Sequence, residues 1–284
     1  MMYVDFDRTI FTIPYVNHPV TWYGLLFAIG FFVGYFLIRR LFAAHLADPN
    51  QPPEKIKLNA VILADRLAAL VIIGTIVGAR LGEVFFYGWP YFRHHLLEIF
   101  MVWRGGLASH GAAIGILLAL LIFVLWNRKR YPTITFLATL DGLVVSTAFA
   151  GGCIRIGNFI NQEILGTPTS LPWGVAFGRP FDGMAGVPLH PVQLYESLFY
   201  FLVFGFLFFL WRHHGRRLGS GLLSGWFLSL VFTFRFFVEF IKLPQSQLIS
   251  ESSWLNMGQI LSIPFILFGV ALLLNYYCRT KRVA

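Results

Sequence analysis

The sequence predicts an all-α polytopic membrane protein of seven transmembrane helices with a small extracytoplasmic cap, and three observations predict it. First, 57% of the residues are hydrophobic and only 12% charged, with a mean hydropathy of +0.69. A water-soluble domain averages roughly 25% charged residues. Second, mostly apolar runs long enough to cross a bilayer recur at 22–41, 61–82, 107–126, 134–153, 192–211, 221–241 and 257–277. Third, lysines and arginines gather at alternate ends of these runs. One integral membrane domain over 1–284 is expected, with no separate soluble module.

Taken in order, the chain begins with Asp5, Asp7 and Arg8 and has no basic stretch ahead of a small-residue cleavage site. The first apolar run is therefore expected to stay in the membrane. It carries Gly30 and Gly34, the second run Gly74, Gly78 and Gly82, and the third Gly111 and Gly115. Small residues four apart let helix backbones approach closely in lipid. The 45–57 connection, with Asp48-Pro49-Asn50 and Pro52-Pro53, reads as a loop. Near the end of the second run Arg80 stands close to Glu83, which reads as a structural pair.

The third run opens on Gly105-Gly106-Leu107-Ala108-Ser109-His110-Gly111. Glycines around His110 leave room for a substrate, and a histidine titrating at about 6.5 suits a proton acceptor near neutral pH; a packing role is the alternative. The fourth run passes into a stretch where Arg155, Asn158 and Asn161-Gln162 fall on roughly one helix face. Polar groups at this depth mark a functional site by default, unless the stretch is a polar loop leaving the bilayer. From 156 to 189, Pro168, Pro172, Pro180 and Pro188 with Trp173 and Phe177 read as the cap rather than as helix.

His190 precedes Pro191, which suits the first turn of the fifth helix. Gln193 and Glu196 then share a face and are expected to bridge to the arginines. In the sixth run Arg235 and Glu239 stand four apart, on one face. They form either a structural ion pair or an arginine oriented to grip a phosphate, and both readings stay open. Asn256 with Gln259 three residues later resembles a capping box opening the last helix, which Pro264 would bend.

The basic residues set the orientation. Arg39, Arg40, Lys55, Lys57, Arg128, Lys129, Arg130, Arg212, Arg216, Arg217, Arg279, Lys281 and Arg282 fall on one side if every run crosses once. The other side holds Arg8, Arg93, Arg104, Arg179 and Lys242. The richer side is expected in the cytoplasm, with the N-terminus outside and the C-terminus inside. This placement also argues against a nucleic-acid partner despite a net charge of +9. Cys153 and Cys278 form no disulfide framework or zinc motif, and a buried Cys153 reads as packing.

No Ser–His–Asp set, HExxH, phosphate loop or Asp-rich magnesium motif occurs in the sequence, so no metal and no cofactor is expected. What remains is intramembrane arginines for an anionic headgroup and a histidine for a proton. Asp141, Glu83 and Arg104 are further polar residues near lipid. The inventory fits a lipid-group transferase whose nucleophile arrives on its second substrate. An anion transporter fits less well, because no internal repeat is visible.

At these residues the sequence resembles the bacterial prolipoprotein diacylglyceryl transferases. The family's Gly-Arg-x-Gly-Asn-Phe-Ile-Asn-x-Glu signature is matched from Arg155 to Glu163. Further matches are Trp22-Tyr23-Gly24, Gly105-Gly106 through His110-Gly111, His190-Pro191 through Glu196, Arg235 with Glu239, and Met257 through Pro264. The resemblance implies seven membrane helices with an extracytoplasmic cap, in the bacterial inner membrane. It implies phosphatidylglycerol and the lipobox cysteine of a prolipoprotein signal peptide as substrates. It also implies catalytic roles for His110 as base and for Arg155 and Arg235 at the phosphate. Tyr23, Arg80, Asn158, Asn161, Glu163, Gly166, Gln193, Glu196 and Glu239 would line or support the headgroup site. Thr21, Ile154, Val231 and Lys242-Leu243-Pro244-Gln245 depart from the family pattern.

Overall fold

The computed structural model describes residues 2–15, 17–181, 184–214, 218–243 and 255–283; Arg216, Arg217, Pro244 and Gln245, considered above, lie outside them. Among the described residues seven helices are long and apolar enough to cross a membrane. They are α1 (Trp22–His45), α2 (Pro53–Phe86), α4 (Ser109–Asn127), α5 (Phe136–Asn161), α6 (Val192–His213), α7 (Leu222–Val238) and α8 (Met257–Val283), with a short α3 at Trp89–Phe92.

Local chemistry sets the ends. Thr21, one of the departures from the family pattern, caps α1 by accepting the Gly24 N–H at 3.1 Å, an N-cap side chain meeting its third helical amide. The loop expected to reach residue 57 ends sooner. Helix α2 starts with Pro53 at its first position and Glu54 in its first turn, both favourable at a helix N-terminus. Asn256 and Gln259 exchange the reciprocal bonds of a capping box, at 3.0 and 2.9 Å.

The start of α7 is capped from a distance. Asp141 is fully buried; one carboxylate oxygen accepts the Gly219 and Gly221 N–H groups, the other the Ser224 N–H and hydroxyl.

Contacts gather the chain into two compact units, Met1–Leu37 with Asp141–Ala284, and Ile38–Leu140. Within the smaller unit, α2 and α4 pack glycine against glycine. A Cβ on Gly74 would sit 2.6 Å from the Gly115 carbonyl oxygen, and one on Gly82 2.7 Å from the Gly111 Cα. Within the larger unit, Gly30 and Gly34 of α1 face Ala150 and Ser146 of α5.

The larger unit also carries the β structure. Strand β1 (Met2–Val4) runs parallel to β4 (Val175–Phe177), which pairs antiparallel with β5 (Pro188–Leu189). A hairpin of β2 (Thr9–Ile13) and β3 (His18–Thr21) stands beside α1 in sequence. Single bridges join Gly166 to Lys242 and Pro168 to Leu189. Val4, Phe159, Leu165, Val175, Phe177 and Leu189 close a small core, and Arg179 binds Asp5 at 2.6 Å. That hydrogen bond holds the Asp5 carboxyl below the usual carboxylate range. The stretch expected as cap from residue 156 is helical up to Asn161, so the irregular part begins at Gln162.

A buried charge network as candidate active site

The polar stretch on α5 is helix, and the way the helix stops places its side chains. Gln162 adopts a left-handed φ of 57°. The Glu163 N–H reaches back to the Asn158 carbonyl and the Gln162 N–H to that of Phe159, the paired closure of a helix C-terminus. Glycine usually takes that position. Gln162 is held there by other bonds, since its side-chain oxygen accepts the Arg179 N–H at 2.7 Å and its carbonyl that of Phe181 at 3.0 Å. The chain therefore doubles back, and the Glu163 carboxylate lies over the last turn, accepting from Asn158 at 2.7 Å and Asn161 at 3.3 Å.

Arg155, one turn earlier, donates to Asn158 Oδ1 at 3.1 Å and sets its Nε 3.0 Å from Glu196 Oε2. The Glu196 side chain is fully buried. This contact is an ion pair without hydrogen-bond alignment, because the same Oε2 makes no hydrogen bond among the described residues.

Glu196 Oε1 accepts from Lys242 Nζ at 2.8 Å, and Lys242 also reaches Glu239 Oε1 at 3.3 Å. Glu239 in turn stands 3.9 Å from Arg235 Nε. Arg155, Glu196, Lys242, Glu239 and Arg235 thus alternate in sign through one network drawn from α5, α6 and the end of α7. Gly258 makes room for it, since a Cβ there would fall 2.7 Å from both Glu239 carboxylate oxygens. Similarly, a Cβ on Gly157 would meet the Tyr23 ring at 2.8 Å, which places Tyr23 against α5 beside the signature. Gly166 packs against the His190 backbone with no space for a side chain.

Two expectations change. Gln193 is buried but binds the Glu163 carbonyl at 2.7 Å rather than an arginine, because its side chain lies under the doubled-back turn. Arg80 does not pair with Glu83. It lies in the smaller unit and donates to the carbonyls of Glu98, Ile99, Gly105 and Gly106. His110 is also in the smaller unit, on the first turn of α4. Its ring is exposed and stands 5.3 Å from Phe86 and 5.5 Å from Tyr87. The structure therefore gathers Tyr23, Arg155, Asn158, Asn161, Glu163, Gly166, Gln193, Glu196, Arg235 and Glu239 in one unit and keeps Arg80 and His110 in the other. Cys153 is a buried free cysteine.

The family described as prolipoprotein diacylglyceryl transferase matches residues 8–275. The chain belongs to that family. Relatives called phosphatidylglycerol–prolipoprotein diacylglyceryl transferase include those of Protochlamydia amoebophila (37% identical, covering 95% of this chain and 94% of the relative) and Chlamydia pneumoniae (38% identical, covering 99% and 98%). That of Porphyromonas gingivalis is 41% identical, covering 95% and 93%.

One network member was missed from the transferase's sequence. Lys242 reads there as a surface charge at the end of a span, yet its side chain is 2% exposed. Its backbone bridges to Gly166, and this turns the side chain inward. The only signal was its position three residues after Glu239, too common a spacing to stand out. Val231, where the family often has tyrosine, is a core residue of α7.

Proposed function

We propose that this transferase, acting as one domain over 1–284 of the inner membrane, moves the diacylglyceryl group of phosphatidylglycerol to the lipobox cysteine of prolipoproteins. The observation that carries the reading is the network that ends in Arg155 and Arg235. A cysteine thiol with an ordinary pKa of about 8.5 must lose its proton to attack well, and His110 is assigned as the acceptor. The thiolate attacks the glyceryl carbon that bears the phosphate ester. A C–S bond forms, and the C–O electron pair leaves with glycerol phosphate. The phosphate carries one negative charge before this step and gains a second as the bond breaks.

Cations at that phosphate are worth more in the transition state than before it. Such a preorganised partner contributes roughly 3–4 kcal/mol. Arg155 and Arg235 take this role, with Glu196, Lys242 and Glu239 fixing their positions. Glu163 accepts hydrogen bonds but cannot donate when ionised, so it suits the hydroxyls of a glycerol headgroup. Tyr23, Asn158, Asn161, Gly166 and Gln193 shape the surroundings. With the N-terminus outside, the Arg155 end of α5 faces the outer leaflet, and the 162–189 segment forms the extracytoplasmic cap.

Purified protein given phosphatidylglycerol and a lipobox peptide should add one diacylglyceryl mass to the cysteine. Arg155→Ala should add none while remaining folded in detergent, even if its loss from the Glu196 pair lowers the melting temperature. A well-folded wild-type preparation that leaves the peptide mass unaltered would overturn the proposal.

A further inference from the structure

We propose that Arg80 is a positioning residue for His110, fixing the backbone that delivers it and touching neither substrate. The inference rests on the assignment of His110 as proton acceptor. Arg80 lies in the last two turns of α2 and is 5% exposed. A guanidinium so enclosed usually faces a carboxylate, but here it faces carbonyls. Its Nε donates to Ile99 at 2.9 Å, Nη2 to Glu98 at 2.5 Å, and Nη1 to Gly105 at 2.7 Å and Gly106 at 3.3 Å. Four of its five N–H donors are thereby committed, and the Phe92 ring lies 4.9 Å from Cζ. Little of the fork remains for a phosphate.

What the clamp holds is the approach to α4. Gly105 and Gly106 have φ values of 84° and 69°, and a glycine pair left to itself has broad backbone freedom. Arg80 ties this pair to the 98–99 turn. One residue away along α2, the Ala79 carbonyl accepts the Ala108 N–H at 3.0 Å. His110 follows two residues later, and its ring stands beside Phe86 and Tyr87 at the end of the same helix. The final turns of α2 therefore fix both the loop before His110 and the ring itself. A Cβ on Gly106 would sit 3.1 Å from Arg80 Nη1, so the missing side chain is what lets the guanidinium in. Lysine, a compact charge without the planar fork, cannot span carbonyls on both turns.

The test is steady-state transfer kinetics of the full-length protein with phosphatidylglycerol and a lipobox peptide. Arg80→Lys should lower turnover between about tenfold and a hundredfold, as misplacement of a reacting group does. Its KM for phosphatidylglycerol should stay within about twofold of wild type. In a His110→Gln background the same substitution should cost less than about twofold more, since coupled residues are not additive. A raised KM with unchanged turnover would make Arg80 a headgroup ligand and overturn the proposal. A full further loss on top of a slow His110→Gln enzyme would overturn it while leaving the His110 assignment standing. Unchanged turnover in His110→Gln would remove both. Should Arg80→Lys not fold, Gly105→Ala serves. A Cβ there meets nothing within 4 Å, yet the positive φ strains it, so the loop shifts with Arg80 intact. The same loss of turnover is expected, and unaltered turnover would overturn the proposal.

Discussion

With its side chain 2% exposed, Lys242 lies between Glu196, which is fully buried, and Glu239, which is 13% exposed. Three cations and two carboxylates face one another, Lys242 and Glu196 enclosed and Arg235 35% exposed at the far end. Removing one partner from a buried set strands the remaining charge, at roughly 3–5 kcal/mol. Lys242→Met should therefore lower stability by about that amount and slow transfer, because Glu196 and Glu239 lose the cation that spaces the two arginines. Lys242→Arg keeps the charge and should recover most of both. Thermal unfolding in detergent, together with the transfer assay, checks this; a Met variant as stable and active as wild type would show the lysine to be incidental. The α5 arginine was legible in the sequence because a charge inside an apolar run has to be explained. Lys242 was not, since a lysine at a span's end already has an explanation. Its partner Glu196 stands 46 residues away, a separation that no local pattern encodes.

At the scale of helices, the four-residue glycine spacing marked runs that pack closely without saying which meets which, because lipid supplies no hydrophobic drive and backbones must approach to gain packing. The structure pairs the α2 and α4 glycines. The approach is close enough that an added methyl has nowhere to go. A Cβ on Gly115 would overlap the Gly74 carbonyl, and backbone cannot yield as a flexible side chain does. Gly115→Ala should cost about 1–3 kcal/mol through overpacking. Gly205→Ala in α6, where a Cβ meets nothing within 4 Å, should instead be neutral or gain up to about 1 kcal/mol from helix propensity. Equal melting temperatures for the two variants would contradict a tight glycine interface. Helix ends were harder to read than helix contacts. The apolar stretch at 61–82 marks only the hydrophobic part of α2, whose polar first turns start at Pro53. Likewise α5 runs on to Asn161 through residues that hydropathy alone would exclude. The Asp141 cap on α7 joins positions about eighty residues apart and had no sequence signal beyond a buried acid.

For the molecule as a whole, hydropathy and charge carry different information. Seven spanning helices are an odd number, so the described ends of the chain emerge on opposite faces if each helix crosses once. Which face is which depends on Lys and Arg, whose clusters lie at or just beyond the C-terminal ends of α1, α4, α6 and α8. On the orientation proposed from the positive-inside rule, β1 through β3 and the Arg179–Asp5 tie would lie outside, with the end of α8 in the cytoplasm. This orientation can be tested with a membrane-impermeant maleimide on intact cells. Tyr15, fully exposed beyond β2, offers one site as Tyr15→Cys. Lys281, also exposed, offers the other as Lys281→Cys. Both are made in a Cys278→Ser background because Cys278 is itself exposed, and the buried Cys153 should stay unreactive in both. The Tyr15→Cys protein should label on intact cells, and the Lys281→Cys protein only after permeabilisation. The reverse pattern would invert the orientation, and labelling of both from outside would mean an even number of crossings. The reverse pattern would also move the Arg155 end of α5 away from the leaflet where a secreted prolipoprotein presents its cysteine, so the topology experiment bears directly on the chemistry assigned to the buried network.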